Sequence, residues 1–339
     1  MTPPPDPLRV IETAYRLDVP KERWLREVAA AIHTEIGAGL GLLAFEYVIT
    51  EDARLQVGQH CALEMPEVVA TQATAAVEQL PPEYVRESFA LCSCSTQSQA
   101  PSALVREQNK PVREMLATMF GWHDIFIIGG MDPTRHGVYF GAWLPRETAL
   151  PARVRGMWAR VAVHIVAARR LHRRLIGTGG RVADTADALL EVDGRVAHAK
   201  GAAEPGEARD ALRRAVRAVE RARRKMRRED AAVAVSQWKG LVSARWTLID
   251  HFESDGKRYV LARRNDVEMS GLEQLTLRER QALAYAALGH RNLMIAYEMG
   301  ISPSTVGVLL HRAARKLGAT TRQELLARFA ALPKYRDQL

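Results

Sequence analysis

The stretch Leu275–Phe329 leaves the backbone little choice, because it marks four short helices with their own starts and stops. Thr276-Leu277-Arg278-Glu279 is a capping box: the hydroxyl accepts from a free amide and the carboxylate reaches back to the cap residue. The helix it opens turns Leu283 and Ala287 inward and stops at Gly289. A second helix runs from about Asn292 to Met299, and Gly300-Ile301-Ser302 makes the turn after it. Ser302 is a good N-cap and Pro303 sits where a missing N–H costs nothing, so a third helix starts there. Its Val306, Leu310, Ala313 and Leu317 recur at helical period, and Gly318 ends it. Thr321-Arg322-Gln323-Glu324 reads as a second capping box, opening a last helix with Leu325, Leu326 and Phe329. Helix, short glycine turn, helix is the arrangement that presents one helix to the major groove.

Leu275-Thr276, Glu279, Gly289, Asn292, Ile295-Ala296, Gly300-Ile301-Ser302, Thr305-Val306, Lys316-Leu317-Gly318 and Arg322 stand in the order and spacing of a known motif. The segment resembles the LuxR/NarL-type helix-turn-helix of bacterial transcription regulators. That resemblance implies an all-α four-helix domain over 270–333, whose third helix reads double-stranded DNA and whose fourth commonly pairs two subunits. Three positions depart from the pattern: the family usually carries lysine at Gly307, histidine at Leu309 and lysine at Leu293. Gly307 also weakens its helix by roughly 1 kcal/mol relative to alanine. The residues expected to face DNA are Asn292, Ser302, Ser304, Thr305, Val308, His311, Arg312, Arg315 and Lys316. Arginine can hold a phosphate or bind guanine bidentately, so binding with reduced intrinsic specificity is the expectation.

Charge divides the chain in the same sense. Residues 1–150 hold 12 lysines and arginines against 19 acids, whereas the remainder is strongly basic within a total of +9. A basic rear half suits phosphates and an acidic front half would be held away from them. No apolar run reaches membrane-spanning length, and the start lacks the form of a secretion signal, so a cytoplasmic protein without a membrane role is expected.

Ahead of the helix-turn-helix two α+β modules are legible. In the first, over 1–176, helices at Leu8–Leu17 and Glu22–Ile36 precede a break at Gly37-Ala38-Gly39. Gly41–Ile49 and Arg54–Cys61 form a hairpin, Pro66–Leu80 and Pro82–Leu91 are helices, and Ser93–Ser102 is a loop. Trp122–Gly130 and Gly137–Leu144 form a second hairpin, followed by the helix Pro151–Leu175. This order resembles a GAF-like sensor domain, an antiparallel sheet with covering helices. Along the last helix Val154, Trp158, Val161, Ile165, Ala168, His172 and Leu175 keep a seven-residue period, which favours a seam between two subunits and hence a homodimer; the same stripe could also cover its own sheet.

After a flexible joint at Gly177–Gly180, Ala188–Val192 and Arg195–His198 pair across Asp193-Gly194. A basic helix runs from about Glu207 to Arg228. Leu241–Phe252 and Arg258–Arg263 then pair through Glu253-Ser254-Asp255-Gly256-Lys257, and Gly271 loosens the exit. Hairpin, helix, hairpin over 182–268 is similar to a reduced PAS domain, with Trp238 and Trp246 filling its core.

No catalytic set, phosphate-cradling glycine loop or metal-ligand spacing stands out, so no enzyme, cofactor or metal is implied. Sensor folds of these kinds commonly take a small-molecule effector between sheet and helices. Phe45, Tyr47, Phe126, Tyr139 and Trp143 would line such a pocket, with alternation sending part of the set to the opposite face. Cys92-Ser93-Cys94 offers a thiol pair on the expected loop, which could sense oxidants or, with His60, Cys61 or His123, bind a metal, against the plainer reading of small buried fillers. The alternative for the whole chain is a protein-interaction regulator whose helix-turn-helix has decayed at Gly307 and Leu309.

Overall fold

The computed structural model describes residues 6–36, 40–89, 93–178, 185–252, 256–267 and 272–331. The expected break at Gly37-Ala38-Gly39, the Cys92 thiol, Gly179-Gly180 of the joint, the turn residues Glu253-Ser254-Asp255 and Gly271 lie outside them. The chain divides into two compact units: Met1–Gly177 with Arg223–Ser236, and Thr178–Ala222 with Gln237–Leu339.

In the first unit, α1 (Pro7–Ala14) and α2 (Lys21–Ile36) lead into the hairpin β1 (Leu42–Ile49) and β2 (Leu55–Leu63). Helices α3 (Glu67–Glu78) and α4 (Pro82–Phe89) follow, then β3 (Ser93–Thr96), α5 (Ala103–Phe120), β4 (Asp124–Met131), β5 (His136–Leu144) and α6 (Ala152–Thr178). All strand pairs are antiparallel, in the order β2-β1-β5-β4-β3. Two elements depart from the sequence expectation. Ser93–Thr96 is an edge strand rather than loop, because pairing with Phe126–Gly129 satisfies its backbone while Cys94 and Thr96 turn inward. Helix α5 departs as well: it contains Pro111, and although Val112, Met115, Leu116, Met119 and Phe120 recur at helical spacing, only Val105 and Asn109 of its residues are buried.

Helix α6 meets both the sheet and the amino-terminal helices, and α2 also packs directly on β1 and β2. On one side Trp158 meets Phe126 edge-on at 5.7 Å and Arg169 pairs with Glu46 at 2.6 Å. On the other, His164 hydrogen-bonds Tyr15 at 3.1 Å and His172 stacks on Trp24. Trp158, Val161, Ile165, Ala168, His172 and Leu175 are all buried within the chain. The heptad stripe is therefore core, and the expectation that it forms an inter-subunit seam is corrected. Period alone cannot tell a helix that meets its own sheet from one that meets a copy of itself.

A buried ionic cluster closes this end of the sheet. Asp132 accepts from Arg173 at 3.1 Å and from Thr134, with Arg170 at 3.9 Å. Burial opposes its charge, but Arg173, Arg170 and the Thr134 donor outweigh burial and hold its pKa below the ordinary value.

The second unit opens with the hairpin β6 (Ala188–Glu191) and β7 (Val196–Ala199), turned at Asp193-Gly194 as expected. Helix α7 (Gly206–Arg221) buries Leu212, Val216 and Val219. The chain then passes through the first unit as a π-helical turn over Ala222–Met226, α8 (Arg227–Glu229) and α9 (Ala231–Gln237). Here Arg227 is bound to Asp6 and Glu12, so part of the basic stretch is spent on ion pairs rather than left for phosphates. Back in the second unit, β8 (Trp246–Phe252) and β9 (Arg258–Arg264) complete a sheet ordered β7-β6-β9-β8. The expected strand from Leu241 starts only at Trp246; the preceding residues form a tight loop. Four helices end the described chain: α10 (Leu277–Ala287), α11 (Asn292–Met299), α12 (Pro303–Lys316) and α13 (Arg322–Ala331). Among the described residues no single helix is long and apolar enough to cross a membrane.

Replacing Asp132 with asparagine should destabilise the first unit by about 3–5 kcal/mol, since it removes the buried negative charge that Arg173 and the buried Arg170 face. In the native chain a carboxyl held below its usual pKa contributes stability above roughly pH 4, and that contribution is lost as pH falls through the folded value. Urea titrations between neutral and acid pH should show the D132N deficit shrinking towards acid; a deficit independent of pH would contradict the assignment.

Candidate nucleic-acid interface

Local chemistry fixes α12 at both ends. At its start the Ser302 hydroxyl accepts from the Thr305 amide at 3.1 Å, and Pro303 occupies the first turn. Its inner face buries Val306, Leu309, Leu310 and Ala313 against the core formed with α10 and α11. At its end Lys316 Nζ donates to Glu279 Oε2 at 2.7 Å. Glu279 is itself the far half of the Thr276 capping box, which is present as expected. The second box differs by one residue: Thr321 Oγ1 accepts from the Glu324 amide, but the Glu324 carboxylate reaches back to Thr320. Those Thr320 donors, with Arg328, lower the Glu324 pKa to about 2.

The outward flank of α12 is open. Ser302, Ser304, Thr305, Val308, His311, Arg312 and Arg315 are all exposed. Lys316 is partly withdrawn by its pairing with Glu279. Asn292 lies at the start of α11, where its Oδ1 accepts from Arg322 at 2.8 Å, and Arg322 also reaches the His290 carbonyl. Its amide therefore holds α13 to α11 in this structure. Close by, the buried His290 places its Nδ1 2.9 Å from Oε1 of the buried Glu298, a contact that sequence reasoning did not single out; their i, i+8 separation gives no periodic signal.

The three departures from the family pattern have distinct surroundings. Leu309 is 8% exposed and belongs to the packed face, whereas Leu293 is 66% exposed at the start of α11. At Gly307 an added Cβ would meet nothing within 4 Å, so the glycine answers no steric need.

The residues expected to line an effector pocket do not form one set. Phe45, Tyr47 and Tyr139 gather with Phe89 on the sheet face away from α6; Phe45 and Tyr139 stack at 4.7 Å. Tyr47 lies across Gly137, where a Cβ would come within 2.1 Å of its ring. Trp143 is on the same face but stacks at 4.6 Å on Trp122 in a separate cluster. Phe126 points the other way, to Trp158. Cys94 is buried on β3, and burial pushes its thiol well above the usual range, so it is not a poised thiolate. Cys61, also raised by burial, goes to about 11. Among the described residues no group of histidine, cysteine and acidic side chains could hold a metal.

Residues 273–329 match the bacterial regulatory proteins of the luxR family. The chain is 44% identical over 70 residues to the HTH-type transcriptional activator RamA of Corynebacterium glutamicum, a match covering 20% of this chain and 25% of RamA. The chain thus spans about a quarter of that relative's length. Among solved structures it is similar to Escherichia coli SdiA at 14% identity, covering 94% of this chain and 93% of that one with a TM-score of 0.31. A structure of SdiA in complex with octanoyl-rac-glycerol gives 13% identity, 94% and 92% coverage, and a TM-score of 0.32. The carboxyl-terminal segment is a LuxR-type helix-turn-helix.

Exchanging Gly307 for alanine should raise the stability of the second unit by about 1 kcal/mol, because the site is open and only backbone entropy changes. Urea unfolding followed by far-UV circular dichroism measures it; a loss of stability would mean that the position is crowded.

Proposed function

We propose that this chain, with its LuxR-type helix-turn-helix, is a DNA-binding transcription regulator in which α12 enters the major groove. The observation that carries the reading is the exposed flank from Ser302 to Arg315, polar and basic, on a helix whose opposite face is fully packed. Arg312 and Arg315 supply the cations for phosphate or guanine, and the hydroxyls of Ser302, Ser304 and Thr305 gather at the helix start, where anions are favoured. Lys316 and Asn292 act here chiefly by fixing the helices, through Glu279 and Arg322.

The first unit is assigned a sensory role. Its sheet order β2-β1-β5-β4-β3, with helices on both faces, supports the GAF-like reading, and the hairpin-helix-hairpin module supports a reduced PAS-like one. A small-molecule effector would bind on the face holding Phe45, Tyr47, Tyr139 and Trp143, without Phe126. Pairing into a homodimer falls to α13 rather than α6, following the family habit. The second reading, a protein-docking regulator, draws on the exposed apolar Leu293 and Val308 at positions that would otherwise meet DNA.

Binding of labelled genomic duplex should weaken steeply with salt, the slope reporting the phosphates neutralised. Exchanging both Arg312 and Arg315 for alanine should flatten that slope by about two and cost about 1–3 kcal/mol for each lost base or phosphate contact. Fluorescence anisotropy across a salt series checks both, and binding that ignores salt would favour the protein-docking reading.

A further inference from the structure

We propose that the loop from Lys239 to Arg245 is part of the DNA-binding body, a backbone clip from the hairpin module that positions the turn before α12. The inference rests on the DNA-binding reading but comes from contacts outside the matched segment. Two amides of the loop donate to the end of α11: Gly240 to the Tyr297 carbonyl at 3.3 Å and Ala244 to the Met299 carbonyl at 2.5 Å. Arg278, at the start of α10, donates to the Ser243 carbonyl at 3.0 Å. With its amide nitrogen facing the loop, Gln281 donates to the Ala244 carbonyl at 3.2 Å and accepts from Val267 at 2.8 Å. Ala244 and Val267 are buried in the same core as α10–α13.

Two further observations say that this join is imposed rather than incidental. Gly300, left-handed at φ +62°, brings its backbone so close to Leu241 that a Cβ would sit 1.8 Å from the Leu241 carbonyl oxygen. Ser243 and Ala244 are also left-handed, at φ +52° and +58°, although neither is a residue that favours it. Such a conformation persists where surrounding bonds over-determine it, and here bonds from α10 and α11 add to those the loop makes with itself. Val242 and Trp246 close the loop through paired hydrogen bonds, and Trp246 begins β8. A displacement of β8 therefore reaches Gly300, and with it the start of α12, through backbone alone. Ala244 and Leu241 are positioning residues: they act on DNA through the angle of α12.

The test uses the full chain. In hydrogen exchange without DNA, amides 240–244 should be protected alongside α11 and α12; exchange as fast as an unstructured loop would overturn the proposal. Ala244→Pro removes the donor to Met299 and forbids the left-handed backbone, whereas the pair Ser243→Asn with Ala244→Gly keeps that conformation with residues suited to it. Against a labelled mixed-sequence duplex, A244P should bind about tenfold more weakly, within the range that coupling through packed elements reaches. Its α10 and α12 amides should stay protected. The Asn-Gly variant should keep wild-type affinity. Wild-type affinity in A244P, or an equal loss in the Asn-Gly variant, would overturn the proposal. Because the exchange arm needs no DNA, a wild-type chain that ignores the duplex counts against the DNA-binding reading alone, and the clip is then decided by exchange.

Discussion

One buried carboxylate sets the angle of the helix assigned to DNA. Glu279 is 3% exposed, and its Oε2 accepts from the Thr276 amide at 2.8 Å and from Lys316 Nζ at 2.7 Å. Burial alone would raise its pKa, but Lys316 and the Thr276 donors reverse the sign and keep it ionised. The first turn of α10 is thereby tied to the last turn of α12. Removing Lys316 would leave the buried Glu279 charge without its cation, which costs more than never having had the pair. The open flank of α12 is a consequence: with Val306, Leu310 and Ala313 turned to the core and Lys316 drawn back to Glu279, Val308, His311, Arg312 and Arg315 point to solvent.

The other end of α12 is governed by backbone rather than charge. Gly300 allows the α11–α12 turn to approach Leu241 as no other residue could, and the Ser243–Ala244 turn supplies the matching bonds. The helix is thus pinned by an ion pair at its carboxyl end and by a clip at its amino end. Both belong to the second unit, so the hairpin module and the helix-turn-helix share a mechanical frame.

What could be read from sequence follows how local each determinant is. The caps at Thr276 and Ser302, the glycine turn and the apolar stripe of α12 are set by neighbours within four residues, and all were legible. The paired hairpins were legible too, since alternation and Asp193-Gly194 are local signals. What failed was non-local. The stripe of α6 gave the right residues and the wrong partner, because Trp24, Tyr15 and Phe126 reach it from distant segments. Ser93–Thr96 is a strand only because β4 offers it an edge. Phe126 is the member of the aromatic set that alternation turns to the opposite face; which member it would be depended on the register with Ala142, another non-local fact. The left-handed Ser243–Ala244 turn carried none of the asparagine or glycine that would announce it.

Function inherits that division. The groups that would touch DNA sit on a locally specified helix, whereas those that would hold it at the right angle come from segments separated by many residues. The most direct measurement is photocrosslinking from Val308, the exposed apolar position in the middle of the flank. With a photoreactive phenylalanine derivative at this position in the full chain, irradiation in the presence of duplex DNA should yield a protein–DNA adduct that competitor duplex suppresses. Adducts only within the polypeptide, with none to DNA, would contradict the account.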